Sequence, residues 1–247
     1  MSKNDIEDIQ CSRGEDMIEF NNVSKIYKND FAAVKNINLT INAGEFIFIV
    51  GKSGAGKSTL IKLLLKEINP TEGTIKYKEQ DVTKIRKRNL AEYRRRIGFV
   101  FQDYKLLPKL TVYENIAFAM EMICCSLKII RREIPVVLSI VGLSDKAKYY
   151  PDELSGGEQQ RVAIARAIVN KPETIIADEP TGNLDIETSS EIMKIFNEIN
   201  KRGTTVIMAT HDREIINKFQ KRVVELKNGV ILRDIKVGGY VNEPKEG

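Results

Sequence analysis

Residues 46–65 read Phe46-Ile47-Phe48-Ile49-Val50-Gly51-Lys52-Ser53-Gly54-Ala55-Gly56-Lys57-Ser58-Thr59-Leu60-Ile61-Lys62-Leu63-Leu64-Leu65. An apolar run of strand length enters G-x-x-x-x-G-K-S, and good helix formers leave it. The order strand, glycine-rich turn, helix is what a phosphate-binding loop requires. Gly51, Gly54 and Gly56 let the backbone close around an anion, and the loop N–H groups and the helix N-terminus point inward. The helix end carries about half a positive charge. Lys57 adds a full charge suited to the β- and γ-phosphates of a nucleotide, and the Ser58 hydroxyl suits Mg²⁺.

Working outward, the 247 residues suffice for one large α/β domain or a core domain with a subdomain. Composition is that of an ordinary folded chain, 42% hydrophobic and 30% charged. No run of 18 apolar residues occurs, and the first sixteen residues carry no apolar core of a signal peptide. Cys11, Cys124 and Cys125 form neither a disulfide framework nor a zinc spacing, which fits a reducing cytoplasm. The net charge of +5 is modest. Much of the basic excess is local: Lys84, Arg86, Lys87, Arg88, Arg94, Arg95 and Arg96 crowd into a predicted helix over 84–96. It reads either as a solvated face or as a surface for anionic headgroups or an acidic partner. No aromatic interleaving or reader motif supports nucleic acid.

Three further apolar strands end in polar groups. Ile97-Gly98-Phe99-Val100-Phe101 precedes Gln102. Thr174-Ile175-Ile176-Ala177 precedes Asp178-Glu179. The strand over 204–209 precedes Thr210-His211, the one histidine of the chain. In open α/β sheets ligands gather beyond such C-terminal strand ends. Two carboxylates there are costly without a compensating cation, which Mg²⁺ at Asp178 supplies; Glu179 then stands ready to hold a water. Between strands, 111–123 and 129–141 read as helices, the second interrupted at Pro135, a residue better suited to a first helical turn than an interior. Phe118, Met120 and Met122 are expected mostly in the core. Leu154-Ser155-Gly156-Gly157-Glu158-Gln159 opens a helix, with Ser155 and Glu158 spaced as a capping box and two glycines leaving N–H groups open to an anion. Asn228-Gly229 marks a closing hairpin.

Taken in order, the phosphate loop, Gln102, Leu154-Ser155-Gly156-Gly157-Glu158-Gln159, Asp178-Glu179, Asp185 and His211 resemble an ABC-type ATPase over about residues 17–240. The resemblance implies an α/β P-loop NTPase cassette with a RecA-like core, an N-terminal antiparallel β subdomain and an inserted helical subdomain over about 103–165. The flanks 1–16 and 241–247 are expected as tails. It further implies ATP and Mg²⁺ as ligands. Tyr27 is expected to stack on adenine. Gly51, Lys52, Ser53, Gly54, Ala55, Gly56, Lys57, Ser58 and Thr59 are expected around the phosphates. Ser58, Gln102 and Asp178 are expected at the metal, Glu179 as general base and His211 at the γ-phosphate. Ser155, Gly156 and Gly157 are expected to serve ATP bound by a second copy in a head-to-tail dimer, with Asp185 at the seam.

Within that family, Phe101-Gln102-Asp103-Tyr104-Lys105-Leu106-Leu107-Pro108, Thr111-Val112-Tyr113-Glu114-Asn115, Ile61-Lys62-Leu63-Leu64 and Gly238-Gly239-Tyr240 are similar to the FtsE branch. That likeness implies a peripheral subunit on the cytoplasmic side of the cell membrane. Its partner is an FtsX-like integral membrane protein facing about residues 103–150, and its output is an indirect signal to peptidoglycan hydrolases. The motor of a lipoprotein- or macrolide-type exporter shares much of the pattern. A soluble member acting on ribosomes or DNA usually carries two cassettes or a long coiled coil; here there is one phosphate loop, one signature and no heptad stretch. Lys52 departs from the family, where proline is common.

Overall fold

The computed structural model describes residues 16–28 and 31–236. The expectations for residues 1–15 and 241–247, and for Gly238-Gly239-Tyr240 and Cys11, lie outside the described residues. Strand β1 (Asp16–Ile26) begins inside the stretch assigned to the N-terminal tail. It pairs antiparallel with β2 (Ala32–Asn42), with Phe20 opposite Leu39 and Ile18 opposite Ile41. Then come β3 (Phe46–Val50), helix α1 (Lys57–Leu64), β4 (Glu72–Tyr77) and the two-residue β5 (Gln80–Asp81). β4 lies on the other edge of β1, so one antiparallel sheet has the order β2-β1-β4-β5.

The remaining elements are α2 (Leu90–Arg95), β6 (Ile97–Val100), α3 (Val112–Glu121), α4 (Leu127–Ile140), α5 (Gly156–Ile168), β7 (Thr174–Asp178), α6 (Ile186–Lys201), β8 (Thr205–Ala209), α7 (Arg213–Phe219), β9 (Arg222–Lys227) and β10 (Val230–Ile235). A second sheet has the order β10-β9-β3-β8-β7-β6 and is parallel except for the hairpin β9-β10. The α/β class with an N-terminal antiparallel sheet is as the sequence led one to expect.

Alternation along the strands sets the two cores. Phe46, Phe48, Val50, Ile175, Ala177, Val206 and Met208 face helices α3 to α6. Ile47, Ile49, Ile176, Ile207 and Ala209 face α1 and the antiparallel sheet. A sheet covered on both faces must be apolar at every position, which is why β3, β7 and β8 read as continuous apolar runs. Each fully buried Ile or Phe contributes about 1.5–3 kcal/mol relative to exposure. Arg222, only 9% exposed, ties the start of β3 to its neighbours. It donates to Asp234 at 2.8 and 2.7 Å, to the Thr40 carbonyl at 2.8 Å and to Glu45 at 3.0 Å. The bonds to Asp234, then to Glu45, hold its proton more tightly than usual against the opposing effect of burial.

Three local expectations are corrected. The basic stretch is not one helix: short 3₁₀ turns at Val82–Lys84 and Lys87–Asn89 precede α2, with Ile85 and Arg86 extended between them. Val82 and Tyr93 are buried, with Ile85 and Leu90 packed against the same core. In a continuous helix, residues five apart such as 85 and 90 point about 140° apart, so the chain breaks to bring both inward. Pro135 lies inside α4 rather than opening a new helix. Residues 131 and 135 are both exposed, so the carbonyl it deprives of a donor lies on the solvent side. Of Phe118, Met120 and Met122, expected mostly in the core, only Met120 is buried, whereas Phe118 is 42% and Met122, just past the end of α3, 63% exposed.

Candidate nucleotide site

The site is laid out by strand register. Ala209 of β8 pairs with Ile49 of β3 on one side and Asp178 of β7 on the other, and Val100 of β6 pairs with Ala177. The four strands therefore end nearly level. One or two residues farther on they release Gly51, Gln102, Glu179 and His211 onto one edge. These residues line a cleft of about 650 Å³, together with Tyr27, residues 51–59, Asp178, Phe31 and Ala33.

The floor is the loop from Gly51 to Gly56. Gly56 caps α1 at φ 109°, a left-handed conformation. A Cβ there would stand 2.7 Å from the Ala33 carbonyl oxygen and 2.9 Å from Val34 Cγ1. Any larger residue would push the loop off β2. Lys57, 8% exposed, donates from Nζ to the Gly51 carbonyl at 2.7 Å and stands 3.9 Å from Glu179 Oε1. The ammonium thus crosses the loop it belongs to, held in place before any phosphate arrives.

On the opposite wall, Glu179 takes φ 48°, unusual outside glycine, and its N–H donates to the Ala209 carbonyl at 2.9 Å. Such a conformation costs about 1–2 kcal/mol and turns the carboxylate away from the direction β7 was following. Oε2 lies 3.1 Å from His211 Nδ1. Burial, and next the neighbouring Glu179, push the Asp178 carboxyl above its ordinary pKa, with Lys57 and Lys62 pulling back. A cation placed at Asp178 would reverse that balance.

Ser155, Gly156, Gly157 and Asp185 do not line this cleft. They meet one another elsewhere. Ser155 caps α5 in a reciprocal box, Ser155 N donating to Glu158 Oε2 at 2.9 Å and Glu158 N to Ser155 Oγ at 3.3 Å. Asp185 caps α6 and accepts from Thr188 N at 2.9 Å and Thr188 Oγ1 at 2.7 Å. Thr188 in turn packs on Gly157, where an added Cβ would collide with its Cγ2. The loop after Gln102 is tied to α5 and to α3. Arg166 of α5 donates to the carbonyls of Lys105 and Tyr104 at 2.6 and 2.7 Å. The buried Asn115 of α3 accepts from Leu107 N at 2.8 Å and donates to the Leu110 carbonyl at 2.9 Å.

Sequence reasoning missed Phe31 and Ala33. The signal at Phe31 was an aromatic four residues after Tyr27. The Tyr27 N–H donates to the Phe31 carbonyl at 3.0 Å, so the two rings flank one loop at the cleft mouth. Ala33 carried no readable signal; its smallness matters only because Gly56 approaches it.

With this geometry in place, comparison with known proteins is direct. Residues 34–182 match the ABC transporter family. A cell division ATP-binding protein FtsE from Bacillus subtilis is 53% identical, covering 91% of this chain and 98% of its own length. The FtsE of Mycobacterium tuberculosis is 52% identical over 91% and 98%, and that of Escherichia coli 46% identical over 86% and 96%. Among solved structures, a dimeric bacterial ABC transporter cassette superposes with a TM-score of 0.80 at 38% identity, covering 91% of this chain and all of its own. A dimeric ATP-binding cassette in a post-hydrolysis state, bound to ADP and phosphate, matches with the same score at 37% identity and the same coverage.

Proposed function

The chain belongs to the ABC transporter family of ATP-hydrolysing cassettes, and we propose that it is the ATP-binding subunit of an FtsEX-type membrane complex in cell division. The observation that carries this reading is the near full-length identity of about half with cell-division relatives from distant bacteria. The exporter alternative has no comparable support among these relatives.

In this reading the cleft binds ATP. Tyr27, with Phe31 beside it, flanks the base. Residues 51–59 surround the phosphates, and Lys57 offers its charge to the β- and γ-oxygens. Glu179 orients a water and accepts its proton, and His211 steadies that carboxylate while facing the γ-phosphate. The donor set suits Mg²⁺: the Ser58 hydroxyl, the Gln102 amide and the half-buried Asp178 carboxylate are hard ligands lining the same cleft. Among the described residues no cluster of three or more His, Cys, Asp or Glu offers a closed cage. That is expected of a cation that keeps phosphate and water among its ligands. When bound, Mg²⁺ supplies positive charge against the phosphate oxygens.

Ser155, Gly156, Gly157 and Asp185 act on ATP held by a second copy, in a head-to-tail dimer. That none of them lines the cleft of their own chain supports this. The membrane partner docks in the groove between β6 and α3, where Phe101, Leu107, Phe118 and Met122 leave apolar surface open. Because the loop after Gln102 is tied to α3 and α5, docking there is felt at the nucleotide and at the signature helix together. The chain then sits on the cytoplasmic face as a peripheral subunit; among the described residues no helix is long and apolar enough to cross a membrane. Its nucleotide cycle reaches peptidoglycan hydrolases through the partner.

The test is capture from native membranes with a tagged Glu179→Gln chain, ATP and Mg²⁺. A small membrane protein accompanied by a wall hydrolase or its adaptor is the expected result. An exporter permease in its place would overturn the cell-division reading and leave the ATPase intact.

A further inference from the structure

The broken segment between β5 and β6 carries charge that the fold does not neutralise. Of its seven cations, Lys84 pairs with Asp81 at 3.0 Å and Arg96 with Glu173 at 3.1 Å. Arg94 spends its Nε and Nη2 on the carbonyls of Leu65 and Lys66, at 3.0 and 3.3 Å, so no carboxylate offsets it. Arg86, Lys87, Arg88 and Arg95 are exposed and make no ion pair among the described residues. Glu92 is the one acidic residue from 82 to 96. Five cations without an ion pair therefore share one short surface, against Glu92 of the segment and Glu67, which lines the concavity beside Lys87 and Arg94.

The corrected local structure explains why they gather. Had 84–96 formed one helix, its cations would have spread around the axis. Instead Val82, Ile85, Leu90 and Tyr93 turn into the core, and the two 3₁₀ turns and α2 push the basic side chains outward. The patch is also continuous with the apolar groove. Arg94 and Arg95 line it together with Phe118 and Met122, and Arg94 with Lys87 lines the next concavity. Tyr93, the only aromatic residue of the segment, is buried, so the patch itself offers no ring on which a base would stack.

We propose that Arg86, Lys87, Arg88, Arg94 and Arg95 form a contact surface for anionic lipid headgroups. It is engaged directly by this chain, beside the groove that takes the membrane partner. The inference rests on the groove facing a bilayer, and adds that the bilayer itself is a ligand. Charge complementarity selects an anionic surface: exposed, flexible cations without a pocket suit a diffuse layer of negative charge better than one fixed ligand. Such contacts are screened within about 10 Å at 0.1 M salt and about 3 Å at 1 M.

The experiment uses the full chain, without partner, sedimented with vesicles of phosphatidylcholine alone or with added phosphatidylglycerol. Binding is expected to the anionic vesicles only and to disappear at high salt. Each cation near the surface is worth about fivefold in binding, so the triple substitution Arg86→Gln, Lys87→Gln, Arg88→Gln should weaken it about 100-fold. ATP turnover of that variant is expected to match the unmodified chain and reports that it is folded. Arg95→Gln alone should cost about fivefold and serves if the triple variant does not fold. Equal binding to both vesicle types, binding that survives high salt, or binding unchanged by these substitutions would overturn the proposal. So would the absence of vesicle binding by the unmodified chain, even where the same substitutions weaken capture of the membrane partner. The membrane capture described above is read separately, so either conclusion can fail while the other stands.

Discussion

If Glu179 is the proposed general base, replacing it by glutamine should separate binding from hydrolysis, by the amount that base assistance is worth. The amide matches the carboxylate in size, so the bond to Ala209 and the left-handed backbone at 179 are undisturbed. Lys57 loses a charge 3.9 Å away but keeps its bond to the Gly51 carbonyl, so no buried ammonium is stranded. What disappears is a base able to take a proton from water. General-base assistance is worth about 10²–10⁴ in rate, or about 2.7–5.5 kcal/mol of barrier. Nucleotide affinity should hold or tighten, because Glu179 is second only to burial in raising the pKa of Asp178. Without that negative neighbour Asp178 ionises more readily, and the acid limb of Mg²⁺-dependent ATP binding moves to lower pH. Phosphate release at saturating ATP measures the first effect; equilibrium binding of ATP across an acid pH series measures the second. Turnover within about tenfold of the unmodified chain would refute the assignment of the base. An acid limb that stays in place would refute the coupling between the two carboxylates.

Other substitutions follow from the same geometry. The folded state binds the Asp178 proton more tightly than the unfolded state does, so the stability of the nucleotide-free chain falls as pH rises from the ordinary carboxylate pKa through the raised folded value. Asp178→Asn should remove that decline and raise the neutral-pH Tm of the free chain, while losing the added stabilisation by ATP with Mg²⁺; thermal melts with and without ligand decide it. Gly157→Ala puts a methyl against Thr188 Cγ2 and should cost about 1–3 kcal/mol, with part recovered when Thr188→Ala is added; urea midpoints of the single and double variants provide the check. Arg222→Met removes one side of a buried network and should cost about 3 kcal/mol, the low end for such losses because Asp234 is partly exposed. Arg222→Lys should fall between, since one ammonium cannot match the planar fork, and denaturant curves would show the order.

The fold was legible where one rule governed a segment. The apolar strands β3, β7 and β8 are buried on both faces, and a polar residue just past each strand end marks the edge where the cleft opens. Sequence does not state the register, yet the register makes the site: Ile49, Ala209 and Asp178 share a row through hydrogen bonds between strands far apart in the chain. The reading failed where composition and tertiary packing disagreed. A run of good helix formers suggests a helix from 84 to 96, but the five-residue step from Ile85 to Leu90, both packed on the core, demands a break between them. Pro135 was read by its local penalty, which the exposed face of α4 makes small. Residue type favours the core for most of Phe118, Met120 and Met122, and which of them stays exposed depends on how α3 and its C-terminal turn are placed, which their own sequence leaves open.

The position of β3 bears on how the protein is made. Both of its neighbours, β8 and β9, lie more than 150 residues downstream. A nascent chain that has exposed the phosphate loop still lacks every partner for the strand that supports it, and an unpaired buried strand is not stable. The first sheet, β1, β2, β4 and β5, is complete by residue 81 and can order early on the ribosome. The nucleotide cleft cannot be complete before His211, its last lining residue, has emerged. ATP therefore meets no half-built site during synthesis, and the ability to bind nucleotide marks a chain whose translation is all but finished.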